Sequence, residues 1–430
     1  MKKILAVTVA AVGLAAVAAP TVKIDKIQQR YPWNGKVDID YTLSGLETAD
    51  EVDNDYYAAR TVQNGYGVMF TIVCGVQTNV TTVPVDFAHG GWDGQHRFTF
   101  DGDAAFGAEV LDPAVKINAA LIPVAAVTSG KAYQLKGDFL FINLEKTEGK
   151  FVATEHNGRS PLGAWDLLTG WDNSFKTTQI AMRKVPAGDY ACKPGKTDGD
   201  IGDAVQTVTT PYYAGVLQIT EVQYNRVMGN TAGSSIKPKA SISYNTIRSG
   251  QNSSEISPTA AVSGTSFMKI LCDNCVSTSG EAIRGFDLPT EVQWEILARA
   301  NSTAKWGSYL DETGSAVQAT DESQLGNIAW YSGNNTPSGT KDVGGKRPNL
   351  WGLYDTAGNV WEWCLDRWVD PFNNSATAET PYNGGSSGGR VGRGGSYGHD
   401  ASGCCPSYRS NRTASGENDY SGFRLVRVCK

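Results

Sequence analysis

Trp351-Gly-Leu-Tyr-Asp-Thr-Ala-Gly-Asn-Val-Trp-Glu-Trp363 is the stretch on which the C-terminal half of this chain turns. Neither a helical nor a strand period accounts for its aromatics, small residues and two carboxylates. Ala357 and Gly358 allow the backbone to turn sharply. Trp361 and Trp363 are too large to leave in water and are expected to anchor the turn in a core. Asp355 and Glu362 then stand beside backbone carbonyls freed by the turn. Hard oxygens gathered in one short segment suit a cation such as calcium.

Outward from this turn, the chain of 430 residues has room for two or three domains. Hydrophobic residues make up 40%, enough for sizeable cores, while 48 glycines and 18 tyrosines with few long amphipathic runs point to strands and loops. Net charge is −6 and there is no basic patch, which argues against nucleic acid as a partner. Met1–Ala19 reads as a secretory signal peptide. Lys2 and Lys3 precede the uncharged apolar run Ile4–Val17, and Ala16-Val-Ala18 fits a small-x-small cleavage site. The mature chain is therefore expected to be exported, periplasmic, secreted or at the cell surface, where cysteines oxidise. The eight cysteines include one isolated pair, Cys272-x-x-Cys275. With no second pair and no histidine nearby, free thiols or a local disulfide fit better than zinc.

Residues 20–148 read as a β-sandwich of immunoglobulin type. Val37–Leu43 alternates apolar and polar, and Tyr66–Val76, Arg97–Phe100, Val115–Val124 and Phe139–Leu144 are further strands. Gly158, Pro161, Gly163 and Gly170 mark residues 149–178 as a connector. In 179–430 two helices share a capping-box start, at Thr220-Glu-Val-Gln223 and Thr290-Glu-Val-Gln293. A third short helix is expected over Ser266–Asn274. Little regular structure is expected after Asn301, where Gly, Asn and Ser surround short aromatic strands.

Five motifs occur in order: Tyr212–Tyr224, Leu288–Glu295, Trp351–Trp363, Arg393-Gly-Gly-Ser396 and Gly422-Phe-Arg424. Together they resemble the sulfatase-modifying-factor family, whose founding member is the formylglycine-generating enzyme. The resemblance covers 179–430, with Ile180–Gly188 matching the family's opening. It implies a loop-rich α+β fold of C-type-lectin kind. It also implies copper chemistry, in which two cysteines after the Arg-Gly-Gly-Ser motif hold the ion and a sulfatase cysteine is oxidised. Those positions are His399 and Cys404 here, so the thiolate pair that suits Cu(I) is broken and copper is not expected. The family's calcium site falls on Asp355, Gly358, Val360 and Glu362. Cys364 directly follows the opening turn, and a disulfide to Cys404 would staple the final loop to it, contributing about 3–4 kcal/mol.

Two functions are open on this reading. One is a non-catalytic binding protein, whose frame between Arg393–Ser396 and Gly422–Arg424 resembles that of the variable proteins of diversity-generating retroelements. Tyr397, His399, Asp400, Tyr408, Asn411 and Asn418 would then contact a protein or carbohydrate, tyrosine giving amphipathic area and asparagine adaptable hydrogen bonds. The other is a copper-dependent oxidoreductase using His399 and Cys404.

Overall fold

The computed structural model describes residues 20–29, 36–46, 52–53, 57–74, 76–85, 93–106, 116–135, 137–147, 149–156, 173–195, 204–248, 259–311, 315–384 and 389–429. The signal segment and most of the connector lie outside them.

The N-terminal unit is two antiparallel sheets around one core. Thr21–Gln29, Lys36–Ser44 and Gly94–Asp101 form the first, in that order. The long strand Tyr57–Cys74 carries the second, pairing with Gln77–Val85 on one side and Lys116–Leu135 on the other. Val37, Ile39, Tyr41 and Leu43 are buried at every second position and meet Val68, Phe70 and Ile72 from the other sheet. The expected alternation and the two-layer packing are therefore both present.

The boundary at 148 needs correction. Phe139–Thr147 and Lys150–His156 do not close the first unit. They are neighbours in a seven-stranded sheet, running Cys275–Ser277, Lys150–His156, Phe139–Thr147, Gln179–Val185, Tyr212–Gly215, Val426–Val428, Phe286–Asp287. The physical reason lies in the run Phe139-Leu-Phe-Ile142. All four side chains are buried, Phe139 and Phe141 in one core and Leu140 and Ile142 in the other. A strand apolar on both faces belongs at the centre of a covered sheet, not in a half-exposed one.

Helices cover this sheet on both sides. The Glu291–Arg299 helix supplies Val292, Trp294, Ile296 and Leu297 to the core shared with Phe139. Glu221–Met228, Tyr244–Arg248 and Phe267–Asn274 pack on the other core. Both capping boxes form as expected, with the Thr220 and Thr290 hydroxyls accepting from the amides of Gln223 and Gln293, each at 3.1 Å. The C-terminal stretch is more regular than expected. A capped helix occupies Glu322–Ile328. A second sheet runs Arg409–Thr413, Gly389–Arg393, Trp361–Arg367, Ser421–Gly422. Among the described residues no helix is long and apolar enough to cross a membrane.

Candidate functional site

The Trp361–Arg367 strand sorts its side chains by face. Trp363 enters one core, its indole NH donating to the Ile242 carbonyl at 2.9 Å. Glu362 points the other way and is fully buried. Its Oε1 accepts from an Arg424 terminal NH2 at 2.8 Å and from the Gln218 amide at 3.0 Å. Its Oε2 accepts from Arg424 Nε at 2.9 Å and from the Trp294 indole at 2.7 Å. Arg424 in turn donates to the carbonyls of Gly215, Val216 and Tyr354. Four of the five sequence motifs thus meet at one carboxylate.

The turn before it is tightly determined. Gly358 has φ 76°, and a Cβ there would stand 2.2 Å from the Trp330 carbonyl oxygen. Asp355 has φ 54° and accepts from the Gly344 amide at 2.7 Å. Burial pushes its pKa up to about 6.

These contacts bear on the calcium expectation. The Gln218 NH2 shares its two hydrogens among the carbonyls of Asp355 and Val360, each at 3.1 Å, and Glu362 Oε1, while its own Oε1 is buried without a partner. Arg424 sits on both Glu362 oxygens. Calcium wants six to eight oxygens with free lone pairs. At Val360 and Glu362 protein donors already occupy the expected ligands, and Asp355 directs its carboxylate to Gly344 instead. Among the described residues no three His, Cys, Asp or Glu side chains gather as a metal site. The residues present do not fit a calcium ion at Glu362.

The proposed staple is not formed either: Cys364 and Cys404 are both free thiols. Cys364 shares the face of Glu362 and lies in the large core, whereas Cys404 lies among Trp306, Tyr331 and Ala401 in a separate cluster. Strand alternation turns Cys364 away from Trp361, the side on which the final loop packs. Burial pushes both thiols well up, disfavouring thiolates. Cys272 and Cys275 are likewise buried free thiols.

His399 lies beside Trp361. Its Nδ1 faces the Trp361 indole NH at 3.1 Å and the Ser396 hydroxyl at 2.7 Å. An indole NH only donates, so Nδ1 is an acceptor and the neutral ring carries its proton on Nε2. Burial, with Arg412 nearby, holds its pKa below the usual histidine value. Cys404 packs under Gly395, where a Cβ would stand 2.8 Å from its sulfur. Neither ring nitrogen carries a free lone pair, and a buried protonated thiol makes a poor ligand, so this pair does not fit copper.

The six expected contact residues fall into two groups. Tyr397, His399, Tyr408 and Asn411 are half-buried or exposed side chains on the outer surface. Tyr408 and His399 both pack on Trp361, with ring centroids 6.0 and 5.1 Å apart, and His399 meets Tyr420 at 5.6 Å. Tyr397 donates to Asp419 at 2.8 Å. Tyr408 also lines a cleft of about 540 Å3 with Trp368, Asp370, Phe372 and Arg409. Asp400 and Asn418 have structural work instead. Asp400 caps the 3-10 turn Ala401–Cys404, and Asn418 ties down Ser421. The sequence reading missed Arg412, Asp419 and Tyr420, which complete the aromatic strip. Their only signal was position within the same Tyr397–Ser421 segment.

Beneath the strip lies a buried ionic layer. Glu291 and Glu295, one turn apart on their helix, hold Arg409 and Arg393. Arg393 is the first residue of the Arg-Gly-Gly-Ser motif, so that motif is here a foundation rather than a contact surface.

The chain has relatives among known proteins. The chain is 36% identical over 155 residues to the formylglycine-generating enzyme of Streptomyces coelicolor, covering 33% of this chain and 46% of that one. It is 34% identical over 120 residues to that of Thermomonospora curvata, covering 26% and 39%. The chain thus spans less than half the length of either relative. Among solved structures, Treponema denticola variable protein 1 aligns with 25% identity and a TM-score of 0.42, over 58% of this chain and 95% of that one. PvdO from Pseudomonas aeruginosa aligns with 23% identity and a TM-score of 0.44, over 58% and 94%. The sulfatase-modifying factor enzyme 1-like domain matches residues 172–429, more than half of the chain, and the protein belongs to that family.

Proposed function

We propose that the protein is an exported, non-catalytic binding protein whose recognition surface is the outer face of Tyr397–Ser421. The observation that carries this reading is the fate of the copper positions: His399 Nδ1 is consumed by Trp361 and Ser396, and Cys404 is buried. What is left outside is a strip of Tyr397, Tyr408, His399 and Tyr420 resting on paired strands and an ionic layer. Rigid aromatic side chains on a fixed frame give contact area at low entropic cost. Such a frame with an exchangeable outer face also suits a variable protein of a diversity-generating retroelement. A protein or a carbohydrate is the partner this surface would take. The N-terminal sandwich, read as immunoglobulin-like, serves as spacer or dock, and Met1–Ala19 as its export signal.

The test is direct. Purified protein is incubated with a cysteine-containing sulfatase peptide, copper and oxygen, and the peptide is weighed. An unchanged mass is expected; conversion of cysteine to formylglycine would overturn the reading. N-terminal sequencing of the exported protein checks cleavage after the Ala16-Val-Ala18 site.

A further inference from the structure

Several arginines in the C-terminal half meet carboxylates. Arg248 is paired with Asp287, Arg299 and Arg393 with Glu295, Arg409 with Glu291, and Arg424 with Glu362. Arg412, on the recognition segment, is not among them. It lies on the Arg409–Thr413 strand in the middle of the recognition segment, half-buried. Its guanidinium is clamped between two rings, 4.9 Å from the Trp361 centroid and 5.0 Å from that of Tyr420. Its Nε is buried without a hydrogen-bond partner, and it pairs with none of the described carboxylates.

None of the segment's three acids pairs with Arg412, and Glu417 accepts from the Thr246 hydroxyl at 3.4 Å. Asp400 accepts from Ser402 and caps the turn that follows, and Asp419 accepts from Tyr397. The other polar neighbours are the Tyr420 hydroxyl and the neutral ring of His399. A guanidinium held close to two aromatic rings keeps its charge, has less freedom left to lose, and offers its terminal nitrogens to a carboxylate. Leaving such a charge half-desolvated and unpaired costs free energy that a partner anion would recover.

We propose that Arg412 anchors the recognition surface and that its counter-ion is an Asp or Glu side chain of a protein partner. This rests on the recognition reading above. A protein is favoured over an acidic polysaccharide because Arg beside several tyrosines is the make-up of protein–protein hot spots. The anchored carboxylate sits at the centre, with Tyr397, Tyr408 and Tyr420 packing around it and excluding water.

The full chain is immobilised and panned against a phage-displayed random peptide library, and each clone recovered is measured against wild type, Arg412→Gln, Arg412→Lys and Tyr397→Ala/Tyr408→Ala. Enrichment of Asp or Glu is expected. Binding to Arg412→Gln should weaken about tenfold or more, the loss when one charge-assisted pair goes. Changing the acid of the peptide to its amide should cost the same, with no further loss on Arg412→Gln. Arg412→Lys, which keeps charge but not the stacked fork, should fall between. Melting curves of each variant confirm folding. Clones without acidic enrichment that bind Arg412→Gln as tightly as wild type would overturn the anchor and leave the recognition surface standing. Clones indifferent to both Arg412→Gln and the double tyrosine variant would overturn both. Binding of polygalacturonate lost in Arg412→Gln, with no acidic peptides recovered, would overturn the protein partner.

Discussion

Glu362→Gln is the substitution that separates an internally braced turn from a metal-braced one. Glu362 and Arg424 are both fully buried and joined through two hydrogen bonds, at 2.8 and 2.9 Å. Glutamine keeps the shape and one acceptor oxygen but removes the charge facing Arg424. Its NH2 would also confront two donors in either orientation, Arg424 with Gln218 or Arg424 with Trp294. Breaking a buried ion pair from one side costs about 3–5 kcal/mol, because the remaining charge stays buried without compensation. For a unit of this size each kcal/mol moves the midpoint about 2–4 °C, so a fall of roughly 6–20 °C is expected. Tryptophan fluorescence reads the transition, since Trp294 bonds Glu362 and Trp361 and Trp363 flank it in the chain, all three buried. Melts are run in EDTA and in millimolar calcium, for wild type, Glu362→Gln and Glu362→Gln/Arg424→Met. The two conditions should superimpose for each protein. The double variant should recover part of the single variant's loss, since it removes the orphaned charge. A ligand at a hundred times its dissociation constant stabilises by about 2.7 kcal/mol, a shift easily seen. A midpoint raised by calcium in wild type and not in Glu362→Gln would refute the argument, as would a Glu362→Gln protein that melts like wild type.

Three further outcomes follow from the same geometry. Gly358→Ala should destabilise by about 3 kcal/mol or more or leave the domain unfolded, since a Cβ would meet the Trp330 carbonyl at 2.2 Å with φ at 76°; chemical denaturation measures it. Asp355 has its pKa raised to about 6, so the folded state binds its proton more tightly than the unfolded chain. The stability it lends is complete below the unfolded value near 4 and is lost as pH rises through 6, about 3 kcal/mol at most. Asp355→Asn keeps an acceptor for the Gly344 amide and tolerates the positive φ, so it should be more stable than wild type at pH 8 and flatten the dependence; an unchanged pH profile would count against the buried carboxyl. Iodoacetamide should leave Cys364 and Cys404 unmodified in the native protein and alkylate both in denaturant without reductant, as peptide mass mapping reads; recovery of a Cys364–Cys404 linked peptide would reinstate the staple.

What was legible in the sequence was local. The Thr220 and Thr290 capping boxes close over three residues, so their hydrogen bonds could be named from spacing alone. Trp361 and Trp363 could be sent inward for their size. What was not legible depends on distant partners. Phe139–Ile142, apolar on both faces, marks a covered strand, but which sheet it enters is decided by its pairing with Gln179–Val185. The five ordered motifs fix the family, yet they do not say what each motif residue touches.

Glu362 shows why site residues are harder to read than fold. A buried carboxylate near carbonyls is a calcium ligand or half of an ion pair, and the choice rests on an arginine 62 residues further on. The same holds on the outer face. Asp400 and Asn418 have the residue types of contact side chains, but Asp400 Oδ1 and the Asn418 side-chain carbonyl are engaged by their own turns. Arg412, unremarkable in sequence, is the arginine there that meets no described carboxylate, whereas Arg409 is held by Glu291. Function in this family member is therefore best sought in the outer-face groups left without an ionic partner once internal contacts are assigned: Glu362 is held by Arg424, Nδ1 of His399 is taken, and the half-buried Arg412 guanidinium meets no described carboxylate.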